Sequence, residues 1–285
     1  MITHNGKYLL HATHHGMRIT AATMGGKMVI GYGLLSATRQ AIVDAFGSAE
    51  GTEVIRKTND YLNQIATTDP QRAQLLAGFI NEDPMLVCSL VETSKTRWLK
   101  KEVKANYFDL GVILHGESTG VRVSYKLEAT NLGQDVSIFG ARAGYGQNDY
   151  SINFGAWGFG TFYIGYKTNH SEPKVPTDTE KHIVTINKGL VSVDDWSKDY
   201  GVQSFSTPTT ARLFDNANGG HPCSPLCWID KCEMWEDDVP SHTFVPYRDP
   251  STGEMELLDI LTGNLATRVG TFTEQLTSKT TETTS

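Results

Sequence analysis

The 285-residue chain has no stretch approaching the ~18–20 consecutive apolar residues that a membrane-spanning helix requires, so membrane insertion is not expected. Its first residues, Met-Ile-Thr-His-Asn-Gly-Lys, carry neither the basic start nor the apolar segment of a secretory signal. Synthesis and assembly in the cytosol are the expectation, with a later life outside the cell left open. Positive charge is scarce: 25 Lys and Arg stand against 32 Asp and Glu, a formal net charge of −7. Nucleic-acid binders need clustered cations to displace counterions from phosphate, so nucleic acid is excluded as a partner. The one basic cluster, Lys95 to Lys104, is brief, lies among strand residues and reads as a solvated face.

Cysteine is scarce as well. Cys88 stands alone, while Cys223, Cys227 and Cys232 are spaced C-x3-C-x4-C beside His221. The paired C-x2-C spacing of common zinc sites is missing. Reduced structural thiols are therefore expected, with zinc as the alternative and no metal or cofactor called. What the chain does have is core-forming material: a hydrophobic fraction of 39% with 11 Tyr, 11 Phe and 5 Trp excludes a disordered polymer.

Glycine and aromatic residues interleave from Ser137 to Gly155. A phosphate-binding loop needs a helix after its glycines, because the anion sits on that helix's free amides. Here Tyr150, Ile152 and Phe154 alternate with Ser151 and Asn153, which is the period of a strand. The segment reads as hairpins with Gly144, Gly146, Gln147, Asn148 and Asp149 in the turn, and a nucleotide site is not expected.

Residues 1–34 read as short strands separated by Gly16, Gly25 and Gly26, too small to stand alone and suited to attachment to a partner. They contain His4, His11, His14 and His15, which in a trimer would gather near an axis, although no carboxylate or cysteine accompanies them. Residues 35–85 form a helical collar or linker. One helix starts at Ser36 and ends at Gly47, a second carries Val54, Thr58, Tyr61, Leu62 and Ile65, and a third starts at Asp69-Pro70, where Asp caps free amides and Pro fits the first turn. From residue 86 to 276 the pattern is of many short strands, including a turn at Asn187-Lys188-Gly189, which means a β-sandwich. Residues 277–285 contain only Thr, Ser, Glu and Lys and read as a flexible tail.

Within 86–276, the ordered segments Leu90 to Trp98, Ile138 to Arg142, His182 to Lys188, Arg212 to Phe214, Asp230 to Trp235, Phe244 to Pro250 and Asp259 to Gly263 resemble successive strands of laminin G-like, concanavalin A-like jelly rolls of gut bacteriophage and prophage structural proteins. The resemblance implies a mainly β fold: a jelly-roll β-sandwich preceded by a small α-helical and short-strand N-terminal region. It also implies a virion structural protein (head or tail fibre, spike or decoration protein), assembled in the host bacterial cytoplasm and joined to other virion proteins through its N-terminal region. A homotrimer and adhesion to host-surface glycans belong to the same expectation. The alternative is a bacterial carbohydrate-binding surface module.

Laminin G-like domains also hold calcium at rim loops, for which Asp149, Asp194, Asp195 and Asp215 are candidate oxygens that otherwise solvate turns. The loop Gly219 to Pro225 departs from the family. No enzyme is expected: jelly-roll glycosidases of the laminarinase class carry E-x-D-x-x-E on one strand, whereas Glu233 to Asp238 and Glu254 to Asp259 have other spacings, and no nucleophile elbow is present. For glycan contact the candidates are Tyr145, Gln147, Asn148, Asp149 and Trp157. Sugar rings stack on aromatic faces while amides and carboxylates take hydroxyls. The competing reading places Tyr145 and Trp157 in the core or against a neighbouring subunit.

Overall fold

The computed structural model describes residues 2–4, 7–14, 17–24, 27–128, 136–142, 147–155, 161–172, 178–216 and 225–279, with side chains from residue 33 onward, residues 155 and 161 excepted. Strands β1 (Ile2–His4), β2 (Lys7–His14), β3 (Met17–Met24) and β4 (Lys27–Gly33) form one antiparallel sheet in chain order. Each hairpin closes on a pair separated by two residues: His4 with Lys7, His14 with Met17, Met24 with Lys27. The intervening pairs, Asn5-Gly6, His15-Gly16 and Gly25-Gly26, have the glycine that two-residue hairpin loops favour. His4, His11 and His14 fall on β1 and β2, and His15 lies outside the described residues.

Three helices follow: α1 (Ser36–Phe46), α2 (Ser48–Ala66) and α3 (Pro70–Glu82). Gly47, at φ +81°, donates its N–H to Val43 and lets the chain reverse between α1 and α2. Gly51 brings the two helices close, since a Cβ there would stand 2.7 Å from Val43 Cα. Asp69 accepts the Arg72 N–H at 3.0 Å, with Pro70 in the first turn. Ile42, Val54, Leu62, Leu76 and Ile80 are buried along the apolar faces. Helical structure continues past the expected boundary at 85, through a 3-10 turn (Pro84–Leu86) and α4 (Val87–Leu90).

The chain divides into two compact units, one of residues 1–97, 247–253 and 276–285, the other of 98–246 and 254–275. These limits differ from the sequence-based divisions at 34, 85 and 276. In the first unit the Arg97 guanidinium, 1% exposed, pairs with the carboxylate of Asp83, which also accepts the Arg248 N–H at 2.7 Å. Tyr247 adds a hydrogen bond to Glu82 at 2.7 Å and an edge contact to Phe79.

The remaining strands are β5 (Lys95–Lys101), β6 (Tyr107–Asp109), β7 (Thr119–Leu127), β8 (Val136–Ala141), β9 (Asp149–Gly155), β10 (Thr161–Glu172), β11 (His182–Asn187), β12 (Leu190–Val193), β13 (Trp196–Asp199), β14 (Arg212–Leu213), β15 (Cys227–Glu236), β16 (Val239–Arg248), β17 (Met255–Asp259), β18 (Thr267–Val269) and β19 (Phe272–Ser278). They build a jelly-roll β-sandwich of two antiparallel sheets. The six-stranded sheet has the order β10-β9-β8-β14-β6-β18. The nine-stranded sheet runs β13-β12-β11-β7-β15-β16-β17, with β5 paired to β15 and β19 paired to β5. Consecutive strands pair within β8-β9-β10, β11-β12-β13 and β15-β16-β17, while crossings between the sheets bring together strands distant in sequence, such as β7 with β11 and β15. Alternate residues of each strand point inward: Val121, Val123 and Tyr125 from β7 meet Phe139, Tyr150, Ile152 and Phe154 from β8 and β9 in one continuous core.

Two expectations need correction. The basic cluster at Lys95 to Lys104 is not simply a solvated face. Arg97 is buried on Asp83, and Lys101, 0% exposed, donates from Nζ to the carbonyls of Phe214 (2.7 Å) and Lys104 (3.0 Å). Burial of these cations is tolerated because each meets acceptors that replace water. The first two residues of the expected tail, Thr277 and Ser278, belong to strand β19.

Candidate functional site

The outward side of β8, β9 and β10 carries an unusual set of residues. Because Phe139, Ile152 and Ile164 face the core, the residues between them face away from it. The register forms two rows across the three strands: Gly140, Ser151 and Gly165, and beside it Ser137, Asn153 and Tyr163. A bulge between Ser137 and Phe139 keeps both rows on this side. The first row is close-packed. A Cβ on Gly140 would meet Asn216 Cα at 2.6 Å, and one on Gly165 would meet Ser151 Oγ at 2.5 Å.

Although this side points away from the core, most of it is covered: Ser137, Ser151 and Asp149 are fully buried, and Asn216 nearly so. Tyr163 and Asn153 are half-buried. Asn153 donates from Nδ2 to Ser151 Oγ at 2.9 Å, which fixes the amide. Its Oδ1, and the Ser137 hydroxyl beside it, are buried and find no hydrogen-bond partner among the described residues. Orphaned buried polar atoms are uncommon and costly, about 1–3 kcal/mol each. An aromatic ring, a fixed amide acceptor and a hydroxyl thus share one row, a set that can stack a ring and receive hydroxyl protons.

Three of the five residues expected to contact glycan, Gln147, Asn148 and Asp149, fall within the described residues. Gln147 and Asn148 are exposed at the turn before β9, with Asn148 at φ +51° as a turn demands. Asp149 is the correction: it begins β9, is 0% exposed, and pairs with the buried Arg142 at 3.4 Å, so its carboxylate neutralises an internal guanidinium instead of reaching a ligand on the surface. Tyr145 and Trp157 lie outside the described residues. Ser137, Asn153 and Tyr163 went unnamed, yet the polar half of the alternation Tyr150 to Phe154 carried their signal.

The other candidate groups resolve into internal pairs. His182, 5% exposed at the start of β11, bonds Asp194 through Nδ1 at 2.6 Å and Asp178 through Nε2 at 2.8 Å. Burial pulls its pKa down, but the hydrogen bonds to Asp194 and then Asp178 outweigh it and leave the pKa raised. Asp194 also accepts the Ile183 N–H at 3.0 Å, and Asp215 takes Arg212 at 2.9 Å, while Asp195 stays exposed. Cys227 and Cys232 face the core from β15, and burial pushes the Cys232 thiol far up. Burial likewise holds Cys88 up at about 11. Cys223 and His221 lie outside the described residues, as does all of the loop from Gly219 except Pro225. Among the described residues no three His, Cys, Asp or Glu side chains are grouped as metal ligands, and no helix is long and apolar enough to cross a membrane.

No protein-family model matches the chain, and no curated protein matches it by sequence. Among solved structures it is similar to a protein of Bacteroides ovatus provisionally described as carbohydrate-binding, at 13% identity over 65% of this chain and 60% of that one, with a TM-score of 0.43. It is also similar to the heptameric pentraxin of Limulus polyphemus, at 13% identity over 53% of this chain and 80% of that one, TM-score 0.33. A third is the enzymatically active domain of tailspike protein 2 of bacteriophage CBA120, at 12% identity over 42% of this chain and 22% of that one, TM-score 0.28. The chain spans about three fifths of the Bacteroides ovatus protein's length. Likeness at these levels concerns the fold and assigns no ligand.

Proposed function

We propose that the protein is a structural component of a bacteriophage virion, a fibre, spike or decoration protein, whose jelly roll adheres to a host-surface glycan and performs no catalysis. The observation that carries the glycan reading is the row Ser137, Asn153 and Tyr163. There a half-buried aromatic ring stands beside an amide oxygen and a hydroxyl that lack partners. A saccharide that displaces the cover over this row would stack its apolar face on Tyr163 and donate hydroxyl protons to Asn153 Oδ1 and Ser137 Oγ, both buried in the free protein. Gln147 and Asn148 offer exposed amides at the neighbouring turn, and Tyr145 and Trp157 remain contacts of the same proposal.

The virion setting rests on the resemblance of the ordered strand motifs and on the small N-terminal sheet, whose four strands suit a shared trimeric base joined to other virion proteins. Assembly would take place in the host cytoplasm, with nucleic acid and membrane not among its partners. The second reading, a bacterial carbohydrate-binding surface module, shares the glycan chemistry and differs in location.

A glycan array of host capsular polysaccharides, probed with wild type, Asn153→Ala and Tyr163→Ala of unchanged melting temperature, tests the site. Binding by wild type that drops roughly tenfold in each variant is expected; no wild-type binding, or equal binding by all three, removes it. Mass spectrometry of purified virions separates the two settings, because a chain absent from the particles is not a virion component.

A further inference from the structure

The outward side of the nine-stranded sheet holds a second cluster with different chemistry. Leu99, Tyr125, Leu127 and Ile229 belong to the core, so Trp98 and Lys100 on β5, Lys126 on β7, Glu128 just beyond it, and Trp228 and Asp230 on β15 face the other way. Trp228 and Lys126 are direct partners across the strands. The Lys126 ammonium lies 4.8 Å from the ring centroid of Trp98 and 5.4 Å from that of Trp228. Trp98 is buried, whereas Trp228 and Lys126 are half-buried.

The neighbouring cations have counter-charges. Lys100 pairs with Glu128 and Lys181 with Asp230 at 2.7 Å. Lys126 reaches no carboxylate among the described residues and bonds only the neutral Gln275 Oε1, at 3.1 Å. Among the described residues, three ammonium groups therefore face two carboxylates here, an excess of one positive charge on a chain of net −7. Glu128 also accepts the Trp228 Nε1–H at 3.0 Å, which holds the indole in place. Burial lowers the Lys126 pKa, and the field of Glu128 opposes it only in part.

We propose that this cluster is a binding site for an anionic saccharide, with the acidic group taken by Lys126 and the sugar ring lying against Trp228. An incoming carboxylate or sulfate supplies the counter-charge that Lys126 lacks, and the pre-oriented indole supplies the stacking surface. On the six-stranded side the buried Arg142 is matched by Asp149, and no comparable pair of indoles flanks a cation among the described residues. The two sites are independent.

The full chain is titrated with oligogalacturonate, a sulfated galactan oligosaccharide and a neutral mannan oligosaccharide, followed by calorimetry and tryptophan fluorescence. Binding of one or both anionic sugars with a change in fluorescence, weakening as salt rises, is expected, with no binding of mannan at this site. Lys126→Met should weaken it about tenfold or more while Lys126→Arg retains it. Glu128→Gln, which removes a competing negative charge, should tighten it several-fold and guards against a misfolded Lys126 variant. Asn153→Ala should leave it unchanged, which separates this site from the first. Absence of anionic binding, equal affinity for neutral sugar, or indifference to both the Lys126 and Glu128 changes would overturn the proposal.

Discussion

The two outward sides of the sandwich cover one core and yet are built from opposite materials. On the six-stranded sheet they are small and enclosed: Ser137, Gly140, Ser151 and Gly165, with the buried pair Arg142 and Asp149 at one end. On the nine-stranded sheet they are long and amphipathic: Arg122 over Trp235, Lys126 over Trp98 and Trp228, Lys100 with Glu128. Strand alternation dictates which residues turn away from the core, but not what happens to them there. Small side chains admit another layer of protein close to the backbone. Long ones form their own layer, with apolar stems and rings inside and charged ends in water. The first arrangement is rigid and intolerant of change, and the second adapts.

The largest expected effect lies in the charges. Asp149 and Arg142 are both removed from water, so Asp149→Ala strips an internal guanidinium of its carboxylate and should cost about 3–5 kcal/mol. Lys100→Met breaks a pair whose members are 21% and 29% exposed, and should cost less than about 1 kcal/mol because water screens the remaining charge. Urea unfolding of the two variants against wild type measures both. Equal losses would show that the six-stranded side is as open to water as the other.

A glycine on each side makes the next comparison. Gly140→Ala sets a methyl 2.6 Å from Asn216 Cα, which is backbone and must move as a segment. At Gly120→Ala the nearest atoms belong to the indole of Trp235, with Nε1 at 1.9 Å, and a half-buried side chain near the strand end can swing aside. Overpacking should therefore cost about 1–3 kcal/mol at Gly140 and distinctly less at Gly120, read as midpoint shifts at constant m. The reverse order would mean that the Trp235 layer is the rigid one.

What the sequence revealed follows the range of the interactions involved. The helices were legible because their signals are local: apolar spacing from Ser36, the Gly47 stop, and the Asp69-Pro70 start that the Arg72 N–H confirms. So was the hairpin at Asn187 to Gly189, where Lys188 and Gly189 adopt φ of +49° and +89°. Burial of Arg97 and Lys101 was not legible, since their partners lie at Asp83 and Phe214, the latter 113 residues away. Asp149 was misplaced by one residue: the turn ends at Asn148, and the partner that draws Asp149 inward sits across the hairpin at Arg142. The rows on β8 to β10 were half legible, because Ser151 and Asn153 alternate with core residues, but their alignment with Gly140, Gly165 and Tyr163 is a property of register. The cluster of Trp98, Lys126 and Trp228 draws on three strands far apart in sequence and has no local signature.

The smallest expected effect tests whether the nine-stranded sheet holds, besides Arg97 and Lys101 of β5, a further internal cation. The candidate is His182, at the start of β11 and ringed by Tyr125, Asp178 and Asp194. Only a protonated imidazole donates from both nitrogens to two carboxylates. The folded pKa is raised above the unfolded value, so the protonated form favours folding. Its contribution is fully present below the ordinary histidine value of about 6.5 and is lost as pH rises through the raised folded value. The Asp178 and Asp194 side chains remain 52% and 38% exposed, which screens the pair and keeps the effect below those of Asp149 and Gly140. Nearby, Lys181 is held by Asp230, and burial keeps the Tyr125 phenol protonated throughout this window. Thermal melting of wild type and His182→Gln from pH 5.5 to 8.5 should show a gap that is widest at low pH and closes as pH rises. The eight other histidines are common to both proteins and cancel in the difference. A gap that stays constant, or widens with pH, would show that His182 is held neutral and that its two carboxylate neighbours enclose no cation at this end of the sheet.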